Sequence, residues 1–180
     1  MYINEFDKNA ECAKIGKSAE DLFEMYLKKS GKQYRPANLA EQYQHIDFVV
    51  HSKRDIRIDV KGPKKVSRSN ANFNSDFIWV EFKNVRGDAG WLYGGNDLIA
   101  FYHEPDSSFY VVRTPELAQL CEKLCDNKRV FYSNEALYHK YTRSGRKDIL
   151  SMIKFKDILT IPYNKIKVRR KCQEVEENRT

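Results

Sequence analysis

Residues 42–62 contain two runs in which apolar and polar residues alternate, separated by the polar residues 51–55. Alternation with a period of two is typical of a strand with one buried face, so the two runs predict an antiparallel hairpin. A turn centred on Lys53 pairs residues that are equally distant from it, which puts six apolar side chains on one face. These are Ile46, Phe48 and Val50 on the first strand and Ile56, Ile58 and Val60 on the second.

The same register predicts that Asp47 lies opposite Asp59 on the other face, with Lys61 two residues further along and Arg57 two residues back. Opposed β-carbons in an antiparallel pair are roughly 4.5 to 5.5 Å apart, and like charges at that distance are destabilising. A divalent cation would remove the repulsion, and Mg²⁺ prefers hard oxygen ligands and usually takes few carboxylates. A bound metal can activate water for phosphodiester hydrolysis, and Lys61 would then stabilise developing negative charge.

The rest of the chain alternates between helical and strand patterns. Residues 16–30 predict an amphipathic helix that ends at Gly31, and Glu20 lies at the edge of its apolar stripe. Polar or glycine-rich loops separate the next strands. The remaining predicted strands are 77–82, 98–102, 109–112 and an edge strand at 158–162, and the remaining predicted helices are 116–125 and 134–141.

The helix with Glu20, then Asp47, then Asp59-Val60-Lys61 resembles the PD-(D/E)xK nuclease superfamily, which includes type II restriction enzymes and archaeal-type Holliday junction resolvases. The resemblance covers about residues 16–102 and implies a restriction-endonuclease-like α/β fold, with a central mixed, largely antiparallel sheet flanked by helices. It implies that Glu20, Asp47 and Asp59 bind Mg²⁺, for which Mn²⁺ can substitute, and that Lys61 is the catalytic lysine. Ile46 stands where the family has its proline. Glu81, or Lys83, matches a further polar position that the family has on the strand after the lysine.

The net charge of +7 favours a polyanionic partner, and DNA is the expected one. Several basic residues flank the predicted site and would follow the phosphate backbone, whereas the alternative is a hydrated basic surface. These residues are Lys53, Arg54, Arg57, Lys64, Lys65 and Arg68.

Each candidate residue also has an ordinary structural interpretation. Asp59-Val60-Lys61 alone is equally typical of a solvated strand face, and Glu20 of a helix surface. His45 shares the face of Asp47, either as a structural histidine or as a ligand or base. Trp91, in the glycine-rich loop 86–96, is either a core residue or an aromatic that stacks on an unpaired base.

We therefore expect a Mg²⁺-dependent DNA endonuclease, with one domain at residues 1–162 and a charged, partly ordered tail at 163–180. A homodimer is expected, because two sites are needed to cut two strands. The alternative is a non-catalytic nucleic-acid-binding or accessory protein on the same scaffold. A third interpretation is a basic interaction domain with an accidental resemblance.

The four cysteines show no CxxC spacing, which argues against a zinc site. No apolar run is long enough to span a bilayer, and the first residues do not resemble a signal peptide. These features predict a cytoplasmic protein without a membrane partner.

Overall fold

The computed structural model describes residues 11–65 and 74–168, with side chains from Lys17 onward. The helices within these residues are α1 (Glu11–Lys29), α2 (Leu39–Gln42), α3 (Thr114–Leu124) and α4 (Phe155–Ile158). The first strands are β1 (Tyr34–Pro36), β2 (Phe48–Val50), β3 (Ile56–Lys61), β4 (Phe77–Lys83) and β5 (Leu98–His103). The others are β6 (Ser108–Arg113), β7 (Arg129–Val130), β8 (Lys140–Tyr141), β9 (Ile149–Lys154) and β10 (Tyr163–Lys167).

The strands form two sheets. The six-stranded sheet has the order β1-β2-β3-β5-β6-β10 and is antiparallel except for β3 and β5, which are parallel. The second sheet has the order β4-β9-β8-β7. The predicted mixed, largely antiparallel α/β class is confirmed, but the strands divide between two sheets. The division arises because β4, which lies between β3 and β5 in sequence, pairs with β9 instead of joining them.

The six-stranded sheet is buried on both faces. Helix α1 covers one face, where Phe23 and Leu27 pack with Phe48, Ile58 and Val60. Helix α3 and the four-stranded sheet cover the other face. That second cluster includes Ile78, Val80, Phe82, Ile99, Phe101, Leu117, Cys121 and Ile153. Because the second sheet lies over β3 and β5, side chains on that face of β3 lie between two sheets.

The hairpin register predicted from the sequence is confirmed for its regular part, where Phe48 pairs with Ile58 and Val50 with Ile56. The pairing stops at Phe48, and His45 has a left-handed backbone with φ 59°. The prediction that all six apolar side chains share one face is wrong at Ile46, which packs with Ala37 and Val49 in a separate cluster. The alternation fails there because strand geometry begins only at Phe48, two residues after Ile46.

The first helix ends as predicted, with Lys29 as its last residue and Gly31 in the left-handed region at φ 66°. The predicted helix 134–141 is wrong. Tyr138 has φ 61°, which interrupts a helix, and residues 140–141 form β8. The predicted edge strand 158–162 is also wrong, because strands β9 and β10 lie on either side of it and α4 ends at its first residue.

The segment predicted as a tail begins with an ordered strand. Strand β10 pairs with β6 along its whole length and forms the edge of the six-stranded sheet. Residues 169–180 lie outside the described part of the chain. No helix in the described ranges has the length and apolar character needed to cross a membrane.

Candidate metal and catalytic site

Asp59 and Lys61 lie on the face of β3 that points toward the second sheet. Both follow from strand alternation, and their partners on β5 are Ile99 and Phe101, which belong to the core between the sheets. Asp59 is 2% exposed, and the Lys61 Nζ donates to its Oδ1 at 2.6 Å. The Asp59 Oδ2 is buried and has no hydrogen-bond donor among the described residues. Half of this buried carboxylate therefore lacks a partner.

Asp47 reaches the same site from the end of β2. Its N–H donates to the Ile58 carbonyl at 2.8 Å, and its Oδ2 accepts the Val60 N–H at 2.7 Å. Asp47 is therefore not a regular cross-strand partner of Asp59, because the pairing slips by one residue beyond Phe48. The slip still brings the two carboxylates together, and Asp47 contributes to the pKa of Asp59.

The pKa values of Asp59 and Lys61 reflect their burial and the charges around them. Burial raises the pKa of Asp59, and the nearby Asp47 carboxylate raises it further, against the opposing effect of Lys61. Burial would lower the pKa of Lys61, but the charges of Asp59 and Asp47 outweigh burial and raise it. One lysine thus faces two carboxylates. Lys61 stays charged, and the buried Asp59 is hard to ionise.

Glu20 approaches the site from α1. Burial, followed by repulsion from Asp47, raises the pKa of Glu20 to about 7, although Lys17 and Lys61 oppose the change. The interaction with Asp47 and Lys61 puts Glu20 on the side of α1 that faces the site. Within residues 11–65 and 74–168, no three His, Cys, Asp or Glu side chains lie close enough to hold one ion. Glu20, Asp47 and Asp59 therefore do not form a preformed cage of three carboxylates.

The indole ring of Trp91 contacts the Lys61 ammonium group. The Lys61 Nζ lies 5.2 Å from the centre of the indole ring, and the ring packs edge-on against Phe101. Gly90 allows this packing, because a Cβ there would lie 2.2 Å from the Glu81 carbonyl oxygen. Trp91 is 4% exposed, so the core interpretation holds and its ring has no free face for a base. The contact with Lys61 was not predicted, since only the fold joins the two segments.

Glu81 and His45 also border the site. Burial raises the pKa of Glu81, and Lys64 and Lys61 oppose it, which places this carboxylate beside the lysines. Burial lowers the pKa of His45 to about 4, and Lys61 adds to that effect. His45 is therefore neutral near pH 7 and can accept a proton or a hydrogen bond.

The basic residues predicted to surround the site fall into two groups. Lys64 and Lys65 lie three and four residues after Lys61, whereas Lys53 and Arg54 are exposed in the turn before β3. Strand β3 carries the chain about 16 Å between these groups. Arg57 is paired with Asp97, with its Nε 3.1 Å from the Asp97 Oδ2. Arg68 lies outside the described residues.

The donor set fits Mg²⁺. Asp47 and Asp59 offer adjacent carboxylate oxygens, and the partnerless Asp59 Oδ2 is the kind of buried hard ligand that a cation would satisfy. Magnesium usually binds through one or two carboxylates and keeps water and phosphate oxygens in the rest of its shell. Two aspartates, with the Glu20 carboxylate close enough to interact electrostatically with Asp47, are compatible with that preference.

Comparison with known proteins gives one structural similarity. The solved structure of a bacterial homing endonuclease, I-Ssp6803I, matches with a TM-score of 0.44 and 19% sequence identity. The match covers 61% of this chain and 73% of that one. No family model matches the sequence, and no curated protein matches it. A TM-score below 0.5 decides neither the family nor the function, so the site geometry has to support the function.

Proposed function

We propose that the protein is a Mg²⁺-dependent DNA endonuclease whose active site consists of Asp47, Asp59, Lys61 and Glu20. The observation that carries the proposal is the buried Asp59, which shares one site with Asp47 and Lys61 and has one oxygen to which no described residue donates. Such an arrangement is costly for stability, because buried polar atoms without partners are destabilising. Costly groups of this kind cluster at functional sites.

The residues of the site have distinct roles in this proposal. Asp47 and Asp59 would hold the metal, and Glu20 would bind through its water shell. Bound Mg²⁺ would supply Lewis-acid activation of a water and of the phosphate. Lys61, which Asp59 and the Trp91 ring hold in place, carries the positive charge that stabilises the phosphate oxygens as negative charge builds up. The charge of Glu81 helps to keep this lysine protonated, and the neutral His45 lies on the same side of the site.

DNA is the proposed substrate, since the chain carries a net charge of +7 and Lys64 and Lys65 extend from the site. Arg57 and the exposed turn with Lys53 and Arg54 would contact phosphates further along the duplex. A homodimer would place two such sites on opposite strands, and sedimentation of the protein with and without DNA tests that prediction.

The test is cleavage of linear, branched and single-stranded DNA with Mg²⁺, with Mn²⁺ and with chelator. We expect the wild-type protein to cut with either metal and not with chelator. Lys61→Ala should lower the cleavage rate by about 10²- to 10³-fold, because it removes a charge that acts mainly in the transition state. Its affinity for DNA should change far less.

The matched control is Lys123→Ala, which removes an exposed lysine of α3 and should cut like the wild type. If the wild type cuts none of the DNA forms with either metal, or if Lys61→Ala cuts as fast as Lys123→Ala, the catalytic assignment is wrong. Tight DNA binding without any cleavage would instead identify the non-catalytic nucleic-acid-binding protein.

A further inference from the structure

A cavity of about 440 Å³ opens on the four-stranded sheet, outside the site described above. It lies where β4 ends and β9 begins, next to the first residue of β7 and to residues 142–147. Five of the side chains that line it are cationic and none is acidic. The cations are Lys83, Arg86, Arg129, Arg146 and Lys147.

The backbone holds the walls of this basic pocket in place. The Thr142 N–H donates to the Val130 carbonyl at 3.2 Å, which joins residues 142–147 to the end of β7. On the other wall, the Asn84 Oδ1 accepts the Arg86 N–H at 2.9 Å. Gly87 has φ 94°, and a Cβ there would lie 3.4 Å from Lys147. Three separate chain segments, 83–87, 129–130 and 142–149, thus converge on one concave surface.

The basic pocket also contains a polar group without a partner. The Thr142 side-chain oxygen is buried and has no hydrogen-bond partner among the described residues. The acidic residues nearby in sequence do not line the pocket: Asp148 is buried and paired with Arg143, and Asp88, which follows Gly87, is exposed outside the lining. The anion-binding character of the pocket therefore comes from its five lining cations, which are a suitable environment for an oxyanion such as phosphate.

Two exposed aromatic side chains lie beside the basic pocket. Phe131 and Tyr132 are each 70% exposed and follow directly after β7, whose Arg129 lines the pocket. Two residues span at most about 7 Å, so the Phe131 backbone lies close to the pocket wall. Exposed aromatics next to a basic groove are characteristic of surfaces that bind single-stranded nucleic acid, where bases stack on the rings.

The basic pocket is also close to the candidate active site. Lys83 is two residues beyond Glu81 on β4, and Glu81 interacts with Lys61. Arg143, at the start of the pocket's 142–147 wall, also lowers the pKa of Glu81 by its charge. One DNA strand could therefore contact both places.

We infer that the basic pocket binds a backbone phosphate of a single-stranded segment of DNA, while Phe131 and Tyr132 stack on an adjacent unpaired base. This inference deepens the proposed function, on which it rests for the identity of the polymer. It makes the preferred substrate a DNA with unpaired bases next to the cut, such as a flap or a branch.

Binding is measured by fluorescence anisotropy in chelator, with a short labelled single strand and with the matching duplex. The double variant Arg129→Gln/Lys147→Gln should bind the single strand at least about tenfold more weakly than the wild type. Its salt dependence should fall by about 1.4, which is two contacts at about 0.7 each. The matched control, Lys123→Gln/Lys156→Gln, removes two exposed lysines elsewhere and should change both quantities far less.

The aromatic pair has its own test. Phe131→Ala should weaken single-strand binding by about 5- to 100-fold, the usual effect of losing one stacked base, and leave duplex binding nearly unchanged. Leu39→Ala, which truncates another exposed apolar side chain, is the control. An equal loss on both DNA forms, or no loss, would overturn the stacking.

The phosphate assignment fails if the pocket double variant binds within twofold of its control. Circular dichroism verifies that each variant folds, and Arg129→Gln alone replaces the double variant if it does not. Failure of the proposed function looks different, because a wild type that binds through the pocket but cuts nothing contradicts the endonuclease and leaves the pocket assignment intact. A wild type that cuts while the pocket variants bind normally contradicts the pocket alone.

Discussion

Asp59 and Asp106 are both carboxylates beside the six-stranded sheet, and their surroundings are opposite. Asp106, in the turn between β5 and β6, accepts hydrogen bonds from the Tyr110 hydroxyl at 2.6 Å and from His103 at 2.9 Å. Lys165 on β10 lies 2.6 Å from it. The Asp59 Oδ1 accepts from Lys61, and the Oδ2 has no donor within residues 11–65 and 74–168.

The pKa values follow from that difference. Burial alone would raise the pKa of Asp106, but Lys165, Tyr110 and His103 hold it well below its usual range. Burial and Asp47 raise the pKa of Asp59 instead. Several donors lower the pKa of a carboxylate and stabilise the fold. A buried carboxylate with few donors and a raised pKa is instead typical of a functional site. The comparison separates the structural acid from the candidate catalytic one.

The largest expected difference between the two acids is in cleavage. Asp59→Asn should lower the rate of DNA cleavage by about 10³-fold or more, because it removes a charged metal ligand. Asp106→Asn is the isosteric control and should leave the rate within about twofold. Rates measured with saturating DNA and Mg²⁺ check this, and equal effects of the two substitutions would contradict the distinction.

The free energy of unfolding in denaturant should change in opposite directions in the two variants. Asp106→Asn should lower the free energy of unfolding by about 1 to 2 kcal/mol, because it weakens hydrogen bonds that a charged acceptor strengthens. Asp59→Asn should raise it by about 1 kcal/mol in chelator above pH 7, because the buried carboxylate no longer has to ionise beside Asp47. A loss of stability in Asp59→Asn would show that Lys61 already compensates the charge.

A gradual effect, spread over more than two pH units, is expected at Glu20. Its pKa is raised from 4.5 to about 7, so the folded state keeps a proton that the unfolded state loses. Stability should therefore fall as pH rises from 4.5 to 7, whereas the lowered pKa of Asp106 makes stability rise with pH only in the acid range. The full pKa shift of Glu20 corresponds to about 3 kcal/mol in the free energy of unfolding. Because the side chain is 31% exposed, solvent screening reduces this contribution to on the order of 1 to 2 kcal/mol.

Glu20→Gln should flatten the stability profile of the metal-free protein over this interval. Asp21→Asn, which changes the neighbouring exposed acid, is the control and should leave the slope in place. Thermal unfolding in chelator across the interval measures the slope. An unchanged slope in Glu20→Gln would show that burial and Asp47 do not raise the pKa of Glu20.

The sequence by itself determined the local elements and the two residues that strand alternation ties together. Alternation in β3 put Asp59 and Lys61 on one face, and the apolar pattern placed β2 against β3 with the register that the structure has. The end of helix α1 and strands β4, β5 and β6 were predicted close to their observed bounds, whereas α1 begins five residues before the predicted start. These features depend on side-chain periodicity within a few residues, which a sequence displays directly.

Only the tertiary structure decided what surrounds those residues. The division into two sheets buried Asp59, put Trp91 under Lys61 and brought Glu81 from another sheet beside it. A slip at the hairpin end replaced the regular pairing of Asp47 with Asp59 by a hydrogen bond from the Val60 N–H to the Asp47 Oδ2. The basic pocket joins cations between residues 83 and 147, and no local pattern connects them. The physical reason is the same in each case: burial and long-range charge depend on which distant segments pack together, and periodicity contains no information about that choice.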